Sequence, residues 1–115
     1  MKEQTYATLL ARNGVALGEL GLQEMSLRRE DALAAIALLR AAGVPVLGGD
    51  VYLETAGAIE GALSNWHVER EAREGLSDFA QRSVRVAEEY IRRFPRRDGT
   101  TPLFVIVPLG DIPAR

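Results

Sequence analysis

The sequence predicts an α+β fold: a small mixed or antiparallel sheet of about four strands with two main helices packed on it. Three observations predict this. An alanine-rich helical stretch ends at Gly43, a good left-handed stop. Residues 50–68 alternate with a strand period and read as a β-hairpin. A second amphipathic helix is followed by an unbroken apolar run, Leu103-Phe104-Val105-Ile106-Val107. The order helix, strand, hairpin, helix, strand suits a sheet with helices packed on it.

Residues 1–25 give the weakest signal. Ala7, Leu9 and Leu10 can start a short helix, which Gly14, Gly18 and Gly21 then interrupt. Ser26 is positioned to cap the next helix, over 27–42, with Glu30 and Asp31 in its first turns. Leu33, Ile36, Ala37 and Leu39 supply its apolar face. Residues 44–47 form a short strand, with Pro45 at its start. Gly48 and Gly49 then read as a sharp bend or bulge, held by the carboxylate of Asp50. Residues 55–57, Thr-Ala-Gly, make the hairpin loop. The return strand is interruptible at Gly61.

Ser77 opens the clearest element. Phe79, Ser83, Val86, Ala87, Tyr90, Ile91 and Phe94 recur in alternating steps of four and three, one face of a helix. Asp78–Arg82, Glu88–Arg92 and Glu89–Arg93 stand four apart in the favourable acid-first order. Pro95 ends the helix. The last apolar run, between Pro102 and Pro108, is a strand buried on both faces.

At 115 residues the chain reads as one domain spanning 1–115. It has no cysteine, so disulfides and thiolate chemistry are excluded. Its net charge of −2 argues against a nucleic-acid-coating role. The start of the chain lacks the apolar core of a signal peptide, and no run reaches a membrane span. A soluble cytoplasmic protein without cofactor or metal is expected.

Few residues invite chemistry. Asp50 and His67 could line the pocket of a small ligand-binding domain or hydrolase. However, Asp50 has no neighbouring ligands, and His67 has no nucleophile or acid at relay spacing. Ser83 lies on the apolar face of a helix, where a buried hydroxyl bonds backbone. Trp66, the single tryptophan, could be a binding hot spot or a core residue. Residues 50–78 are acidic and residues 79–97 basic. An acidic hairpin would steer a basic protein partner. An edge strand could instead pair two copies in a dimerisation module.

The chain resembles the immunity proteins of bacterial polymorphic toxin systems, and specifically the immunity protein 40 family. The resemblance is carried by Asp31-Ala32-Leu33, by Val46-Leu47-Gly48-Gly49-Asp50-Val51-Tyr52, by Asn65-Trp66, and by Ser83, Ala87 and Tyr90-Ile91. It covers residues 30–92 and leaves the proline-flanked strand outside. Ser64 and His67 depart from the pattern. The resemblance implies a non-enzymatic protein that binds and occludes one cognate toxin. The expected contact surface is Tyr52, Glu54, Glu60, Trp66 if exposed, and Glu69, with Gly48, Gly49 and Asp50 shaping a turn.

Overall fold

The computed structural model describes residues 4–110. In order these form α1 (Tyr6–Asn13), β1 (Val15–Ala16), a 3₁₀ turn (Gly18–Leu20), β2 (Met25–Arg28), α2 (Arg29–Ala42), β3 (Val46–Thr55), β4 (Ala58–His67), α3 (Leu76–Arg93) and β5 (Thr100–Pro108). The fold is α+β, as expected, with five strands rather than four in the order β1-β2-β5-β3-β4. Every pairing is antiparallel.

The additional strands come from the N-terminal stretch. Ser26 does not cap α2. It lies in β2, and its hydroxyl donates to the Val15 carbonyl at 2.9 Å. Arg28 takes the cap position without a side-chain bond. The helix ends as expected, with Gly43 left-handed at φ 71°. Strands β1 and β2 sit at one edge of the sheet, yet the 3₁₀ turn between them lies against β4 at the other. The connecting segment therefore crosses the face opposite the helices.

Of the bend or bulge expected at Gly48 and Gly49, the structure has the bulge and not the bend. Residues 44–47 and 50–55 do not form two strands around a turn. β3 runs unbroken through Gly48, Gly49 and Asp50, with only a bulge against β5 between Val46 and Gly48. The real turn is Ala56-Gly57, both at positive φ (51° and 86°), as a two-residue hairpin loop requires.

Across the hairpin Gly48 faces His67, Gly49 faces Trp66, and Asp50 faces Asn65. The family-like motifs are thus cross-strand partners. A Cβ at Gly49 would run into the Trp66 ring and the Val105 carbonyl. A Cβ at Gly48 would strike the Trp66 backbone. These glycines are required for close approach, not for turning.

β5 occupies the centre of the sheet, where proline is normally excluded. Both of its prolines escape the problem because β2 reaches only Leu103 and Phe104. At Pro102 and Pro108 the strand has β3 alone beside it.

The helices cover one face. Leu27, Ile36, Leu39, Val51, Trp66, Phe79, Ile91 and Phe104 are among the buried residues of that core. Two polar groups lock it. The Ser83 hydroxyl donates to the Ala80 carbonyl at 3.1 Å and accepts the Val46 amide at 2.9 Å. It thereby ties α3 to the bulged start of β3. Arg29 is 6 % exposed and donates from Nη1 to the carbonyls of Ile91 and Arg92. The first residue of α2 therefore caps the end of α3. Burial and the nearby Arg96 lower its pKa.

Candidate partner-binding surface

Strand pairing decides which expected contact residues share a face. Tyr52 faces Gly61, Leu53 faces Glu60, and Glu54 faces Ile59. Directly paired residues lie on the same side, and successive residues alternate. Tyr52 and Glu54 are therefore on the outer face, with Asp50 and His67. Glu60 and Trp66 are on the helix face. Glu69 lies beyond the end of β4. The five residues do not form one patch.

Trp66 is core. It is 8 % exposed, its ring stacks on Tyr90 at 4.7 Å, and its Nε1 is buried with no hydrogen-bond partner among the described residues. The stack continues from Tyr90 to Phe94 at 6.3 Å and from Phe94 to Phe104 at 5.8 Å, edge-on. It ends with Arg29 over the Phe104 ring. Burial raises the pKa of the Tyr90 phenol, and Ser64 acts in the opposite sense.

On the outer face, burial raises the Tyr52 pKa, with Glu24 and Asp50 adding to the effect. Glu54 stands 4.0 Å from Arg28. Glu60 is exposed and has no ion-pair partner among the described residues.

Part of the expected acidity is paired: Glu54 with Arg28, Glu69 with His67 at 3.7 Å, and Glu74 with Arg82. Arg82 does not pair with Asp78. Its Nε and Nη2 each donate to Glu74 at 2.7 Å, and Nη2 also donates to the Glu69 carbonyl at 2.7 Å. Arg82 thus pins the segment after β4, and its hydrogen bonds lower the Glu74 pKa from 4.5 to about 2. Glu88 pairs with Arg92, as expected, and also with Arg40 on α2. The two bonds lower its pKa.

Asp50 and His67 share a shallow depression of about 340 Å³ with Gly48, Asn65 and Val107. Among the described residues no three His, Cys, Asp or Glu side chains converge as a metal site.

A feature absent from the sequence reading lies along β4. The pairing skips from Val51–Ser64 to Tyr52–Gly61, so Ala62 and Leu63 bulge out. Leu63 has φ 57° and is 100 % exposed. Gly61 hinted at a break, but the strained residue is its second neighbour. Behind the bulge runs an apolar groove between β4 and the second half of α3. One part, about 470 Å³, is lined by Ser64, Val86, Tyr90 and Phe94. A second, about 260 Å³, adds Leu53, Ala62, Arg97 and Pro102.

No curated protein and no solved structure matches this chain. The family model for immunity protein 40 matches residues 16–108. That match is longer than the 30–92 resemblance and takes in the end of β1, all of β2 and the proline-flanked β5, so that strand is part of the family fold. None of the described helices is long and apolar enough to cross a membrane. With the match reaching all five strands, the chain belongs to the immunity protein 40 family.

Proposed function

We propose that this protein is the immunity partner of a bacterial toxin. It binds its cognate toxin one to one in the cytoplasm and obstructs the toxin's active site. The family match over residues 16–108 carries this reading. The task needs complementary shape and charge but no catalytic group.

The β3–β4 hairpin is the surface on which we place the contact. It offers Tyr52 and Glu54 on one side and Glu60 on the other, with Glu69 past its end. These acids suit a toxin with a basic active-site groove. Trp66 is a strut beneath this surface rather than part of it.

The test is co-expression with the toxin domain encoded beside this protein, followed by sizing chromatography. Growth rescue with a co-eluting one-to-one complex is the expected result. Growth arrest with both proteins folded and eluting apart would overturn the reading.

A further inference from the structure

Leucine at positive φ is a backbone outlier. A left-handed conformation is disfavoured for an L-residue, and glycine or asparagine is the usual occupant. Leu63 adopts it at φ 57° and recovers nothing by burial, since its side chain is 100 % exposed. Singly exposed leucines on ordinary backbone need no explanation. Here strain and exposure fall on the same residue, and its neighbours Ala62 and Ser64 line the apolar groove behind it.

The groove extends the surface of the knob. Its floor includes Tyr90 and Phe94, held by the aromatic stack that begins at Trp66. Arg93 and Arg97 stand at its rim, with Glu89 as the one acid among the lining residues. Neither arginine makes an ion pair among the described residues. A protruding apolar side chain beside a rigid apolar trough whose rim charges, two arginines against one glutamate, are net basic fits a protein surface of complementary form.

We infer that Leu63 is the anchor through which this protein docks on its toxin. It seats in an apolar recess of the toxin whose groove-side border carries carboxylates for Arg93 and Arg97. This rests on the immunity reading. The bulge also breaks the free edge of β4, so the edge is a poor template for strand pairing while the knob remains available.

The test uses the purified toxin domain encoded beside this protein, held inactive by mutation, with binding measured by calorimetry. Leu63→Asn relieves the backbone and removes the knob. It is expected to raise the unfolding temperature of the free protein by a few degrees and to weaken binding at least ten-fold. Leu63→Ala keeps the strain and is expected to weaken binding similarly without that rise. Arg93→Glu with Arg97→Glu is expected to weaken binding and to flatten its fall with added salt, and unchanged affinity and salt dependence would overturn the carboxylate border.

Unchanged affinity in Leu63→Asn and Leu63→Ala, with wild-type binding intact, would overturn the anchor and leave the immunity reading standing. A fall in the unfolding temperature of Leu63→Asn would show a structural role instead. Self-association of the wild-type chain that Leu63→Asn abolishes would show that the knob serves a second copy. Failure of the wild-type protein to bind would remove the immunity reading and the anchor together.

Discussion

The Trp66 indole fills the space that a side chain at Gly49 would need, and the two residues are direct cross-strand partners. Gly49→Ala must push the ring or the Val105 carbonyl aside. Overpacking of this kind costs about 1–3 kcal/mol. Urea denaturation should show a lower midpoint with an unchanged slope. A midpoint equal to wild type would mean that the ring has room to yield.

Ser83 serves two backbone groups at once. Ser83→Ala leaves the buried Val46 amide without its partner, at a cost of about 1–3 kcal/mol. The loss should be concentrated at the start of β3. Hydrogen exchange at Val46 faster than can be explained by global unfolding alone is the expected signature.

Arg29 holds the last carbonyls of α3 from the first residue of α2. Arg29→Met keeps most of the stem but strands those carbonyls. A loss of about 1.5–3 kcal/mol follows from removing charged hydrogen bonds. Thermal unfolding checks it. A neutral result would mean that solvent reaches the end of α3.

The Glu74 carboxyl has a lower pKa folded than unfolded, so it stabilises the fold most above its unfolded value. That contribution fades as pH falls from 4.5 toward about 2. The segment pinned by Arg82 should loosen in this window. Glu74→Gln should flatten that part of the acid-denaturation curve. Equal acid sensitivity in both proteins would contradict the assignment.

Glu54 and Glu60 sit on opposite faces of the hairpin, so charge reversals separate the faces. Glu60→Lys should weaken toxin binding by about ten-fold, roughly the 1.4 kcal/mol of one lost rim charge pair. Glu54→Lys should weaken it less, because Arg28 already stands 4.0 Å away. Binding kinetics at two salt concentrations would check both. The opposite ranking would place the contact on the outer face.

The parts of the fold with strong local signals were legible in the sequence. The α3 period, the Gly43 stop, the hairpin loop and the buried β5 run were all readable there. The short strands β1 and β2 were not, because four residues carry too little periodicity and Ser26 offers a cap signal equally well. Gly48 and Gly49 suggested a bend because their partner, Trp66, is seventeen positions beyond Gly49 and becomes adjacent only through strand register. For the site, the sequence pointed to the hairpin but not to its faces. Leu63 could not be distinguished from any other strand residue, since its exposure arises from a pairing shift between β3 and β4.

β5, the latest of the described strands along the chain, takes the middle place. With β5 between β2 and β3, a nascent chain that ends short of residue 100 has two separate β segments and no sheet to join them. Folding therefore cannot proceed piecemeal as the ribosome works from one end to the other. The sheet must wait for β5, and non-local closure of this kind is slow.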